Sequence, residues 1–154
     1  MASLGLDHVN VVVTDMERSI RFYASLLGLK VVMDRPLEGD WFEQVTGLAG
    51  ARARCVILAA PNGACRIELL EYETGECAPA AAPPSAAGLR HMALRVDDMD
   101  ACLTILHHEF GQSVAATEVP KDIVRGGKRM CYIRDPDGAI IELCQYGLEQ
   151  PEFR

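Results

Sequence analysis

The sequence predicts an α+β fold: two tandem βαβββ modules forming a curved, cup-shaped mixed sheet with helices on its convex side. Three observations lead there. The chain contains an internal repeat, each copy opens with an alternating strand that runs into an amphipathic helix, and turn signals fold the remaining runs into hairpins. The repeat comes first. A shift of 83 residues lays "LDHVNVVVTDMERSIRFYASLLGLKV" (6–31) on "LRHMALRVDDMDACLTILHHEFGQSV" (89–114). Leu6 then meets Leu89, His8 meets His91, Asp15 meets Asp98, Met16 meets Met99 and Gly28 meets Gly111. A shorter shift of 74 lays "RIELLEY" (66–72) on "IIELCQY" (140–146), so Glu68 meets Glu142. The difference between the shifts assigns loops of different length to the two copies.

The elements follow in order. In 6–13 the alternation puts His8, Asn10 and Val12 on one face and Val9, Val11 and Val13 on the other. In 90–96 the same parity sets His91, Ala93 and Arg95 against Met92, Leu94 and Val96. "TDME" (14–17) reads as a capping box, and "DDMD" (97–100) offers aspartates for the same task. Apolar stripes at Met16, Ile20, Tyr23 and Leu27, and at Met99, Leu103, Leu106 and Phe110, predict one sheet-facing side per helix. Gly28 and Gly111 stand where a C-cap glycine belongs. Strand-like runs follow near 30–34, 53–60 and 65–72, and again near 113–119, 129–134 and 139–146, with "PNG" (61–63) and "DPDG" (135–138) as hairpin turns. The expected organisation is a first module over 1–73, an Ala/Pro-rich linker over 74–88, a second module over 89–147 and a tail over 148–154.

Composition narrows the function. The 154 residues are 49% hydrophobic and 24% charged, the balance of a soluble globular domain. A net charge of −7 argues against a nucleic-acid binder, whose phosphate contacts need a basic face. No apolar run approaches a membrane span, and the N-terminus has no secretory pattern, so a cytoplasmic protein is expected. The six cysteines lack Cys-x-x-Cys spacing and read as reduced, buried small hydrophobes. Half-modules of this size leave open sheet edges that need covering, and a homodimer is the expected way to cover them.

The duplicated glutamates carry the chemistry. A carboxylate inside an apolar strand is costly unless something pairs with it. One His or one Glu would usually be a satisfied strand residue, capped by a neighbouring arginine. Four ligand-type residues at duplicated positions point elsewhere. His8, Glu68, His91 and Glu142, all on the cup's concave side, would form a divalent-metal site in which the cation neutralises the carboxylates.

Over about residues 4–147 the chain resembles the vicinal oxygen chelate superfamily, which includes glyoxalase I, methylmalonyl-CoA epimerase, extradiol dioxygenases and the bleomycin and fosfomycin resistance proteins. The stretches carrying the resemblance are "LDHVNVVVTDMERSIRFYASLLGLKV", "IELLEY", "LRHMALRVDDMD" and "DPDGAIIELCQY". It implies that His8, Glu68, His91 and Glu142 are metal ligands. Glyoxalase I resembles this chain at all four. Extradiol dioxygenases and fosfomycin enzymes lack a carboxylate at the position of Glu68, epimerases usually carry glutamine there, and bleomycin-binding members lack the set. The resemblance therefore implies a metal-dependent lyase or isomerase that abstracts a proton beside a chelated carbonyl of a hemithioacetal or acyl-thioester substrate. In that reading Glu142 is the base and Glu68 its partner, around one divalent ion (zinc, nickel, cobalt, manganese or iron(II)). The alternatives are an extradiol-type dioxygenase and a non-catalytic small-molecule binding or resistance protein of the same fold.

Several residues carry two readings each. Trp41 and Phe42 suit a pocket wall or packing under a loop. Lys121, Arg125, Lys128 and Arg129 suit an anion-binding cluster or a solvated hairpin. His107 and His108 fall late in the second helix, where their charge favours the C-terminus, and neither is expected to be a ligand. Tyr72 and Tyr146 share the glutamates' parity and are expected to pack in the core, with contact to the ligands as the second role.

Overall fold

Hydrogen bonding sorts the strands into two four-stranded sheets of identical connectivity. The computed structural model describes residues 5–73, 82–147 and 152–153. The chain divides into unit one, Met1–Ala80, and unit two, Ala81–Arg154. Of the expected linker, residues 74–81 lie outside the described residues.

Unit one runs β1 (Val9–Val12), α1 (Met16–Leu27), β2 (Lys30–Leu37), α2 (Asp40–Thr46), β3 (Ala53–Ala59) and β4 (Arg66–Tyr72), with sheet order β1-β4-β3-β2. Unit two runs β5 (His91–Arg95), α3 (Met99–Phe110), β6 (Thr117–Val119), β7 (Val124–Arg125), β8 (Lys128–Arg134) and β9 (Ile140–Tyr146), with order β5-β9-β8-β6. In each sheet the first strand lies parallel to the last, and the other pairs are antiparallel. A short strand, β10 (Glu152–Phe153), pairs antiparallel with β7, within the segment expected to be a tail.

The parallel register places the site. Asn10 stands opposite Glu68 in unit one, and Ala93 stands opposite Glu142 in unit two, which are equivalent positions of the repeat. The opposite parity is the core. Val11, Val13, Ile67 and Leu69 are buried with Phe22, Tyr23 and Leu26 of α1, and Ile133, Ile141 and Leu143 with Met99, Cys102 and Leu106 of α3. Each such side chain removed from water contributes roughly 1.5–3 kcal/mol. Helix α3 begins on the expected aspartate, Asp98, which accepts from Ala101 N at 2.9 Å, whereas α1 is capped one residue later than the Thr14 capping box predicts, by Asp15 accepting from Arg18 N at 2.9 Å. Both end on a left-handed glycine, Gly28 at φ 62° and Gly111 at φ 67°.

The buried helix stripes differ from expectation. On α1 the buried residues are Met16, Ser19, Phe22, Tyr23 and Leu26, with Ile20 and Leu27 only half-buried. On α3 they are Met99, Cys102 and Leu106. Met16, Tyr23, Met99 and Leu106 are buried as expected, and the small residues Ser19 and Cys102 join the buried face in place of Ile20 and Leu103.

A matched ion brace ties helix to sheet in both units. Arg54 on β3 donates to Asp34 (3.0 and 2.7 Å) and to Glu17 of α1 (2.7 Å). Arg129 on β8 donates to Asp100 of α3 (3.0 and 2.8 Å) and lies 3.6 Å from Glu118. Four of the five described cysteines are buried, and all five are free. No helix among the described residues is long and apolar enough to cross a membrane.

Candidate metal centre

The four expected ligands come together two by two. In unit one His8 Nε2 lies 3.4 Å from Glu68 Oε2, and in unit two His91 Nε2 lies 3.4 Å from Glu142 Oε2. Among the described residues no group of three or more His, Cys, Asp or Glu is placed to hold a metal ion. Each unit thus holds one imidazole–carboxylate pair.

The surroundings of the two pairs differ. In unit one Asp7 Oδ2 takes His8 Nδ1 at 2.8 Å, and Asp7 is also held by Arg66. The hydrogen bond from His8 is the main reason the Asp7 carboxyl falls below its usual value, with the charge of Arg66 adding to it. Asn10 Nδ2 donates to Glu68 Oε2 at 3.0 Å, and the Cys55 thiol lies 3.5 Å from Oε1. Burial, reinforced by the charge of Glu68, pushes that thiol up to about 12, so it stays protonated and is not a nucleophile at neutral pH. Apolar packing covers the far end of this face. Leu37, Phe42, Ala51, Ala53, Cys55 and Leu70 form one buried cluster, with Phe42 of α2 stacked on Tyr72 at 6.0 Å. Of the two aromatic residues with two readings, Phe42 is core and Trp41 is 53% exposed.

In unit two the carboxylate has a cation beside it. Lys128 Nζ donates to Glu142 Oε1 at 2.6 Å, with side chains only 12% and 8% exposed. Burial alone would lower the Lys128 ammonium, but the bond to Glu142 and the neighbouring negative charges outweigh it and raise it. Burial likewise pushes the Cys144 thiol, 3.5 Å from Oε1, up to about 11. Tyr132 lies against the His91 ring at 5.1 Å. Tyr146 lies under two cations, with Arg95 Cζ at 5.3 Å and Lys128 Nζ at 5.5 Å from its ring centre. Of the four basic residues with two readings, Arg129 belongs to the brace on Asp100 and Lys128 belongs to Glu142. His107 and His108 are exposed at the end of α3, where His107 meets Ser113 Oγ at 3.0 Å.

Asp7, Asn10, Arg95 and the pairing of Lys128 with Glu142 were not singled out from the sequence. Strand parity already carries Asn10 and Arg95 to the glutamate face. The contact of Lys128 with Glu142 needs the register of the β8–β9 hairpin, which the sequence leaves free by a residue or two.

Comparison with known proteins agrees with this architecture. The family described as Glyoxalase/Bleomycin resistance protein/Dioxygenase superfamily matches residues 5–143. A crystal structure of a glyoxalase family protein from Bacillus cereus superimposes with a TM-score of 0.79 at 28% identity, covering 96% of this chain and 97% of that one. A 2-epi-5-epi-valiolone epimerase from Actinomyces sp. is 27% identical over 147 residues, 92% of this chain and 79% of the relative. A putative lactoylglutathione lyase from Brassica oleracea is 25% identical over 141 residues, 91% of this chain but 44% of the relative. Relatives from Bacillus subtilis and Escherichia coli are described only as uncharacterized proteins.

Proposed function

The chain belongs to the glyoxalase/bleomycin resistance protein/dioxygenase superfamily, and from that premise we propose that it is a divalent-metal-dependent lyase or isomerase. It removes a proton beside a chelated carbonyl of a hemithioacetal or acyl-thioester substrate, with His8, Glu68, His91 and Glu142 as the metal ligands. Relatives named as an epimerase and a lyase support a reaction of this kind.

The observation that carries the reading is the repeated 3.4 Å gap between imidazole Nε2 and glutamate Oε2. It is longer than an ordinary N–H···O bond. It matches the roughly 3.4 Å that separates two donors standing at a tetrahedral angle, each about 2.1 Å from one ion. In unit one the chemistry of the donors agrees. In the neutral tautomer that gives Nδ1–H to Asp7, Nε2 presents its lone pair to a carboxylate oxygen. Two acceptors facing each other call for a cation between them.

A bound divalent ion would withdraw electron density from two neighbouring substrate oxygens and acidify the adjoining C–H. The chain's own residues do the rest. Lys128 fixes Glu142 through Oε1, so Oε2 would serve as the metal donor and, once released from the ion, as the atom that accepts the proton. Asn10 holds Glu68 as the partner carboxylate. Low exposure of Glu142 keeps water from competing for the proton. The test is a metal titration of untagged protein with zinc, nickel, cobalt, manganese and iron(II). At least one ion should bind far more tightly than it binds the variant with all four ligands changed to alanine, and equal binding of every ion overturns the reading.

A further inference from the structure

The internal repeat serves as its own control for the site's electrostatics. At equivalent positions the first copy carries Val12 and Ala53 and the second carries Arg95 and Lys128. Register confirms the equivalence. Val12 pairs with Leu70 as Arg95 pairs with Cys144, and Ala53 pairs with Tyr72 as Lys128 pairs with Tyr146. Every one of these side chains lies on the glutamate face of its sheet, because each is an even number of residues from Glu68 or Glu142 or paired to such a residue. Two neutral residues of one copy have become two cations in the other, in a chain whose net charge is −7.

Those cations stand together on one ring. Arg95 Cζ and Lys128 Nζ lie 5.3 and 5.5 Å from the centre of Tyr146. The only carboxylate within 4 Å of Lys128 among the described residues is Glu142, and Arg95 has none there. The other arginines of this sheet's strands are held elsewhere: Arg129 by Asp100, and Arg134 by the Gly138 carbonyl at 2.7 Å. Two positive charges against one carboxylate leave one positive charge unbalanced on this face. The placement is fixed by backbone. Gly126 and Gly127 take φ 87° and 84°, Gly147 N donates to Gly127 O at 3.0 Å, and a Cβ on Gly147 would meet Gly126 O at 2.1 Å. This close crossing, open only to glycine, sets the start of β8 beside the end of β9 and so sets Lys128 beside Tyr146.

We propose that Arg95, Lys128 and Tyr146 form a subsite for a carboxylate group on the substrate, a few bonds from the oxygens that chelate the metal. The inference rests on the metal-dependent reading above and names its substrate class as monoanionic. One unbalanced positive charge suits one carboxylate. Along the strand, Glu142 and Tyr146 are four residues apart, roughly 13 Å, and Lys128 spans the interval by touching both. The subsite therefore begins next to the base and extends toward Arg95.

Two hydroxamates test this, because a hydroxamate offers two neighbouring oxygens to a metal. One is butyrohydroxamate, which is neutral, and the other is glutaric acid monohydroxamate, which carries a carboxylate at the far end of its chain. Calorimetric titration of the zinc-loaded protein should show the carboxylate-bearing probe binding on the order of 10-fold more tightly. Arg95→Gln, at an exposed position, should erase that preference while leaving the neutral probe's affinity unchanged, and Lys128→Met should erase it as well. Equal affinity of the two probes for the unaltered protein overturns the subsite. So does a preference that survives Arg95→Gln. Failure of both probes to bind instead overturns the metal-dependent reading on which the subsite rests.

Discussion

The two copies of the repeat agree in their frame and disagree around their glutamates. Sheet order, parallel register, aspartate caps, left-handed glycines and the arginine brace are common to both units. Around Glu68 the chain places an amide, a protonated thiol and an apolar wall closed by α2. Around Glu142 it places an ammonium, a second cation and an aromatic ring. A duplicated fold needs only its core and its caps to be copied. The faces that do not pack are free to diverge, and their divergence gives the two carboxylates different surroundings. Glu142 is the less exposed of the two and the one with a fixed cation at one oxygen. On the proposed reading it is therefore the better-placed base.

That difference gives the largest expected effect. Glu142→Gln keeps the shape and an oxygen donor but removes the basicity, so proton abstraction should fall by on the order of 100-fold or more with metal retained. Glu68→Gln should cost clearly less, because Asn10 can hold either an oxygen or an amide at that place. Solvent deuterium incorporation into a hemithioacetal and into an acyl thioester measures both. Retained exchange in Glu68→Gln favours the epimerase-like chemistry, and loss of exchange with metal still bound favours the glyoxalase-like chemistry. Equal losses in the two variants would erase the asymmetry and make the carboxylates equivalent partners.

How much of this the sequence discloses depends on the range of the interaction. The repeat, the parity of His8 and His91, the Asp98 cap and the glycine ends are local and legible, while the cap of α1 falls on Asp15 and not on Thr14. Also legible is the placement of Glu68 and Glu142 within apolar strands. The helix faces are right at Met16, Tyr23, Met99 and Leu106 but omit the small buried residues Ser19 and Cys102, which an apolar stripe of large residues does not pick out. The two readings of the basic cluster could not be separated from the sequence, because adjacent residues on a strand point to opposite faces. Lys128 reaches Glu142 while Arg129 reaches the helix on the other side. Such pairings link residues 14 and 29 positions apart, and only the hairpin register decides them.

The next effect concerns the charge inside unit two. Lys128→Met leaves the Glu142 carboxylate with little solvent and no ammonium, a change of the kind that costs about 3 kcal/mol or more when the pair is fully buried. Here about 2 kcal/mol is expected, since both side chains keep some exposure and the Cys144 thiol stays beside Oε1. Urea unfolding of metal-free protein measures it. Saturating zinc should restore most of the loss, because a cation bound at Glu142 replaces the missing charge and because a ligand that binds only the folded state stabilises it. No loss on substitution would mean that the ammonium is not the carboxylate's counter-ion. A loss that zinc leaves untouched would mean that the metal does not use Glu142.

The smallest effect tests the part of the molecule where the copies agree. Hydrogen bonds from Arg54 hold the Asp34 carboxyl below its usual value, and hydrogen bonds from Arg129 do the same for Asp100. The sign follows from linkage. Above the ordinary aspartate value of 3.8 both carboxyls are ionised in the folded and unfolded chain, and the braces contribute in full. As pH falls below 3.8, the unfolded chain takes up protons first, so stability declines until the folded carboxyls are protonated too. Arg54→Gln and Arg129→Gln should each flatten this acid limb, with only a small loss at pH 7 because the pairs are well solvated. The flattening traces to Asp34 in the Arg54 variant and to Asp100 in the Arg129 variant. The double variant should show the sum, since the braces share no partner. Unfolding midpoints between pH 2 and 7 measure all three, and an acid limb that keeps its slope in both single variants would show that the matched braces do not set the molecule's acid response.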